Sequence, residues 1–237
     1  MGDDAREGEP RNTDALTAQL LATEHWSLLA SRSTTQSEVL TRISMLLTLM
    51  SAALVSIALV GQATKFAGIF PAFADALLGL VVVVGVLTQV RVTNVSMEDL
   101  MYVLAMNRLR AEYVRLAPEV ARALSASWHD DRAGVTHTYY FLGRRGQSQV
   151  VGSSMMFTFV VNGALVGLFL GVVLATSGVA IPVAWTVGIV CALAYLVVSM
   201  WLGARIYFRF WRDYEPQSPS EPSPGEPAPT QPAPSAD

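Results

Sequence analysis

Lysine is almost missing from this chain and cysteine nearly so: Lys65 and Cys191 are the single examples in 237 residues. One cysteine cannot form an intrachain disulfide, so a disulfide-stapled fold is excluded and the redox compartment stays open. Charge is also scarce, at 15% of residues against 52% hydrophobic, with mean hydropathy +0.40, which points away from the soluble class. The net charge is only −3 and the basic residues are nearly all arginine, so no nucleic-acid face is expected. No secretory signal is expected either, because residues 1–10 are acidic and about forty polar or amphipathic residues precede the first long apolar run. The first span is therefore expected to serve as its own insertion signal. Nucleotide loops of the GxxxxGK or GxGxxG type do not occur, and Gly143-Arg144-Arg145-Gly146 lacks the Lys-Ser/Thr of a phosphate loop. Its arginines are expected to hold the chain at the inner membrane surface.

What is present is four apolar runs, at 43–62, 71–90, 153–175 and 181–205. Each is long enough for a hydrocarbon core that takes roughly 20 residues of helix. They pair as two hairpins, turning through 63–70 and 176–180. The fold class expected is all-α: a polytopic membrane protein with four transmembrane helices in two hairpins and cytoplasmic amphipathic helices. Arginines fix the orientation, since positive charge near span ends stays inside. Arg32 and Arg42 precede the first span, eight arginines lie between the second and third, and Arg205, Arg209 and Arg212 follow the fourth. Both termini are thus expected in the cytoplasm of a cell, with a multi-pass protein in its membrane. The segments read as 1–11, a disordered N-terminus; 12–42, an amphipathic helix and lead-in; 43–90, the first hairpin; 91–152, a cytoplasmic helical segment and loop; 153–205, the second hairpin; and 206–237, an interfacial anchor and tail.

From Tyr102 the apolar residues Tyr102, Met106, Leu109, Tyr113, Leu116 and Val120 follow heptad spacing. Opposite them Arg108, Glu112, Arg115, Glu119 and Arg122 alternate in sign, which predicts ion pairs along the helix. Ser96 with Asp99 offers an N-cap, unless the helix runs on from the second span, and Pro118 should kink the helix or open a new one. Residues 12–30 form another amphipathic helix, and Ser33 with Gln36 and Thr35 with Glu38 read as capping boxes for a separate helix leading into the membrane. These cytoplasmic helices either pack on each other within one subunit, the reading preferred here, or make a homo-oligomer contact. The tail, 215–237, repeats Pro with Ser, Ala and Glu and should be disordered, since it has no large apolar residue to bury.

Inside the spans, Gly163, Gly167 and Gly171 share one side of the third helix, where small residues let another backbone approach. The expected partner is the fourth span at Gly188, Ala192 or Ala194; a multi-subunit zipper is the alternative. Thr41, Ser44, Thr48 and Ser51 form a polar stripe entering the first span, a packing face by default and a pore lining if subunits surround an axis. Asn162 needs an interhelical partner. Asp75 is the only ionisable residue within a span and is read as an interfacial acid near the outer headgroups, the alternative being a carboxylate ring at a pore mouth. The run "RIYFRFWRDY" (205–214) sets Arg205, Arg209 and Arg212 among aromatics as an interface anchor.

Only "SWHDDRAGVTH" (127–137) crowds histidines with carboxylates. His129, Asp130, Asp131 and His137 are donor types that zinc accepts, but they lack the i,i+4 histidine pair of a zincin helix. The preferred reading is a polar loop in which Asp130 or Asp131 caps the following helix. No cofactor and no metal are expected.

The runs "LLATEHWSLLASRSTTQSEVLTRISMLL" (20–47), "MNRLRAEYVRLAPEV" (106–120) and "WHDDRAGV" resemble a group of actinobacterial four-span membrane proteins with no assigned activity, over most of the chain except both ends. In layout the chain is also similar to SLATT-type membrane effector domains proposed to form pores in bacterial defence, although the second hairpin departs from their simplest two-span pattern. The excess of Arg over Lys fits a GC-rich genome. The expected function is a non-enzymatic membrane scaffold or regulator, with protein partners for the cytoplasmic helices or tail; an oligomeric pore is the alternative and a membrane-associated enzyme the third.

Overall fold

The computed structural model describes residues 8–143 and 152–220, with side chains from residue 13 onward. The described residues are mostly helical and contain no strand. Helix α1 spans Gly8–Thr64, α2 Phe70–Leu116, a 3₁₀ turn Pro118–Ala123, α3 Arg132–Tyr139, α4 Ser154–Thr176 and α5 Ile181–Asp213. Four of them, α1, α2, α4 and α5, are long and apolar enough to cross a membrane. Of the most apolar window of α5 only 11% is buried, and Trp185, Ile189, Leu193, Val197 and Trp201 face outward. An exposed surface this apolar suits hydrocarbon and not water, and is compatible with an integral membrane protein.

The separate entry helix expected from the two capping boxes is not found. Between Pro10 and Gly61 there is neither proline nor glycine, so nothing interrupts α1. The hydroxyl of Thr35 turns back to the carbonyl of Ser31 four residues earlier, while Gln36 bonds Asp99 and Glu38 is taken by Arg42 and Arg91. Likewise Ser96 bonds Val92 O within a continuous α2. That helix ends at Leu116 because Pro118 pushes Ala117 to extended backbone and opens the 3₁₀ turn. Just past the end of α4, Gly178 with a φ of 90° lets Val179 N–H reach back to Leu174 O.

The chain divides into two compact units. One, the spanning unit, takes 26–102, 143 and 152–214 of the described residues. Its core packs Leu46 and Ala53 of α1 against Val81 of α2 and Leu165 of α4. Where α1 and α2 leave that core they are joined by forked ion pairs. Arg32 meets both oxygens of Asp99 at 2.6 and 3.2 Å, and Gln36 adds a third bond to Asp99 at 2.8 Å. Arg91 grips Glu38 at 2.9 and 3.2 Å and Glu98 at 2.7 Å, while Arg42 reaches Glu38 at 2.8 Å. The guanidinium bonds of Arg91 and Arg42 hold the Glu38 carboxyl down to about 2, below the usual carboxylate range.

The other, polar, unit takes 8–25, 103–142 and 215–220 of the described residues. Val103, Leu104, Met106 and Val135 form its apolar centre, and Asn107, Ser127 and Asp130 are buried with them. The face of α2 turned inward is thus centred on Val103 and Asn107 in addition to the Met106 of the expected heptad. The expected ladder of ion pairs is also broken: Glu112 and Arg115 pair, but Arg108 is diverted to Asp130.

Candidate functional site

The acidic loop builds the most elaborate polar site in the polar unit. Asp130 is fully buried, yet its carboxylate is matched on every side. Oδ2 accepts from Arg108 Nε at 2.7 Å and from the main-chain N–H of Gln217 at 3.0 Å; Oδ1 accepts from the N–H of Ser218 at 2.7 Å. The Asp130 N–H in turn donates to Ser218 O at 3.1 Å. Asp131 is the N-cap of α3, accepting from Gly134 N–H at 2.7 Å, and it also takes the N–H of Ser220 at 2.6 Å and the Ser220 hydroxyl at 3.0 Å. A buried carboxylate is tolerable only with such pairing. The two aspartates therefore form a clasp for a peptide segment that bends at 217–218, read through its main-chain donors, and the peptide in it is the chain's own 217–220.

This corrects the expectation of a solvated tail from residue 215: its root is held, and 221–237 lie outside the described residues. A main-chain clasp needs no large apolar side chain, which is why composition does not reveal it.

Asn107 fixes the loop from below. Its amide donates to His129 O at 2.7 Å, and its Oδ1 accepts from Thr138 Oγ1 at 3.0 Å and Arg110 Nη1 at 2.7 Å. Thr138 Oγ1 also accepts from Ser127 N–H, and Ser127 Oγ accepts from His129 N–H. Gly134 sits so close to the His129 carbonyl that any Cβ would overlap it. The histidines do not converge with the acids. His129 lies against the Trp128 ring at 5.2 Å, and His137 is exposed in the last turn of α3. Among the described residues no group of three His, Cys, Asp or Glu is placed to hold a metal ion. Elsewhere in this unit His25 stacks on Tyr113 at 6.0 Å; burial, then the nearby Arg110 charge, lowers its pKa.

In the spanning unit the three glycines meet α5. A Cβ on Gly163 would lie 3.1 Å from Ala192 O, one on Gly167 2.6 Å from Gly188 O, and one on Gly171 3.6 Å from Ala184 O. The backbones are therefore in direct contact, as small residues permit. Asn162, 1% exposed, donates to Gly85 O at 2.7 Å and to Gln89 Oε1 at 2.9 Å. Tyr195 OH donates to the same Gln89 oxygen at 3.0 Å, and Gln89 Nε2 donates to Ser199 Oγ at 3.1 Å. One polar node so ties α2, α4 and α5. Reading the sequence missed Gln89, Tyr195 and Ser199, although a glutamine in "VVVVGVLTQV" is a visible anomaly in an apolar run.

The stripe on α1 faces outward. Thr41, Ser44, Thr48 and Ser51 are exposed, and each hydroxyl is bonded to the carbonyl four residues back. Asp75, at the other end of α2, accepts from Thr176 Oγ1 at 3.1 Å. Arg144, Arg145 and Gly146 lie outside the described residues.

Comparison with known proteins gives no matching family model, no matching curated protein and no matching solved structure.

Proposed function

We propose that the protein is a multi-pass membrane scaffold without enzymatic activity: two helical hairpins anchor it, and a cytoplasmic unit holds the root of a Pro-rich tail offered to partner proteins. The observation that carries this reading is the clasp. The carboxylates of Asp130 and Asp131, the best candidates for chemistry in the chain, are engaged by main-chain donors of 217–220 and by Arg108 and Gly134. Groups committed in this way position a peptide and are poorly placed to move protons or bind a metal. The arginines at the inner ends of the spans support cytoplasmic termini.

The test is amide hydrogen exchange on the full chain in detergent. Slow exchange at Gln217, Ser218 and Ser220, lost on Asp130→Ala, is the expected result. Fast exchange at all three in the unaltered protein would remove the clasp from the account.

The pore reading draws on the outward stripe from Thr41 to Ser51. Its hydroxyls already donate within α1, so hydrocarbon satisfies that face as well as water does. Ion flux from liposomes above the protein-free background would favour the pore.

A further inference from the structure

A groove of about 700 Å³ lies between α2 and α5 beyond Val90 and Arg205. Its inner end continues into a narrower cleft of about 180 Å³, beside Gln89 and Ser199 of the polar node; Asn94 and Ile206 line both. The walls are polarised along their length. At the cleft end Val90, Leu202 and Ile206 are apolar and exposed, continuous with the outward faces of both helices. At the far end stand Arg209, Glu98, which is bonded to Arg91 at 2.7 Å, and Asp213, which is bonded to Arg212 at 3.0 Å.

The order of the charges is informative. Asn94 and Arg209 lie one turn beyond Val90 and Arg205, and Glu98 and Asp213 lie one turn further, about 6 Å along each helix. Passing outward from the hydrocarbon, a ligand therefore meets apolar surface, then an amide with a guanidinium, then two carboxylates. A phospholipid with a primary-amine headgroup presents the same sequence: acyl chain, phosphate, ammonium. Arg209 reaches Asp213 only at 3.8 Å, a loose pair that leaves its fork open to phosphate. Asn94 is exposed.

We propose that this groove is a binding site for a zwitterionic phospholipid of the phosphoethanolamine class, with the phosphate on Arg209 and Asn94 and the ammonium between Glu98 and Asp213. The site rests on the spanning reading of α2 and α5 but not on the clasp. Arg91 and Arg212 each take one oxygen of these carboxylates, Glu98 Oε1 and Asp213 Oδ1, so the ammonium bonds the second oxygens, and a quaternary amine has no N–H to offer them.

Native mass spectrometry of the full chain, released from detergent micelles containing equimolar ethanolamine, choline and glycerol phospholipids of the same acyl chains, tests it. The unaltered protein should keep the ethanolamine lipid about three- to fivefold over either competitor, the scale of one or two partly exposed ion pairs. Arg209→Gln should abolish phospholipid retention. Glu98→Gln with Asp213→Asn should erase the preference for ethanolamine over choline while retention persists. Met101→Trp, which fills the groove and leaves every charge, should lose the adducts with an unchanged melting temperature. Equal retention of the three lipids by the unaltered protein, a preference for the glycerol lipid, or an ethanolamine preference that survives Arg209→Gln or Met101→Trp would overturn the proposal. Alkaline carbonate extraction reports separately on the spans, so loss of the site and loss of the membrane reading are distinguishable.

Discussion

Asp130 and Ser218, 88 residues apart, hold each other twice: Ser218 N–H donates to the Asp130 carboxylate at 2.7 Å, and Asp130 N–H donates to Ser218 O at 3.1 Å. Asp130→Ala removes the acceptor for two main-chain donors and for Arg108 at once. Hydrogen bonds to charged groups contribute about 1.5–3 kcal/mol each and are not additive, so a loss of about 2–4 kcal/mol is expected. Thermal or denaturant unfolding in detergent measures it. The Arg108→Ala/Asp130→Ala double variant should lose less than the sum of the singles, because the two groups share one site.

Gly167 and Gly188 permit the closest approach of two helix backbones at the glycines of the spanning unit. Gly167→Leu must push α5 away, since even a Cβ would sit 2.6 Å from Gly188 O and 2.8 Å from the Ala192 side chain. The expected result is a protein that still inserts but melts lower, by about 1–3 kcal/mol for overpacking. Gly171→Ala, where the nearest atom is 3.6 Å away, should be close to neutral.

Asn162 and Gly85 form a matched pair across α4 and α2. Asn162→Leu removes two interhelical bonds, and such bonds in membranes average about 0.6 kcal/mol with a maximum near 1.7. Gly85→Ala should cost at least as much, because its Cβ would overlap the Asn162 amide oxygen. Adding Asn162→Ala to Gly85→Ala should restore part of the loss, as read by melting in detergent.

Two titrations work in the same direction by different routes. His25 has a pKa below its ordinary 6.5, so unfolding takes up a proton in the window between the two values. Its contribution is therefore intact above pH 6.5 and is lost as pH falls toward the lowered value; His25→Phe should flatten stability over that range. Glu38 has its carboxyl held down to about 2 against an ordinary 4.5. Its stabilisation is present above pH 4.5 and disappears as pH falls toward 2, and Glu38→Gln should remove that acid-side slope.

Much of the membrane architecture is written in local pattern. Apolar runs long enough to span appear as the four helices, because length and hydropathy need no knowledge of neighbours. The spacing of Gly163, Gly167 and Gly171 places them on one face for the same reason. What local pattern does not carry is contact between distant segments. Asn162 visibly needs a partner, but Gln89, 73 residues away, is not legible as that partner. The capping boxes before the first span misled because capping chemistry and back-bonding within a helix use the same residues, and only the lack of a breaker decides between them. The clasp is the hardest case: its acids stand out in "SWHDDRAGVTH", but what binds them is main-chain N–H, which every residue except proline has.

The account depends most on α1, α2, α4 and α5 lying in lipid. Washing membranes that contain the full chain with alkaline carbonate, followed by sedimentation, measures this most directly. The protein should remain wholly in the pellet and leave it only with detergent; recovery in the detergent-free supernatant would contradict the account.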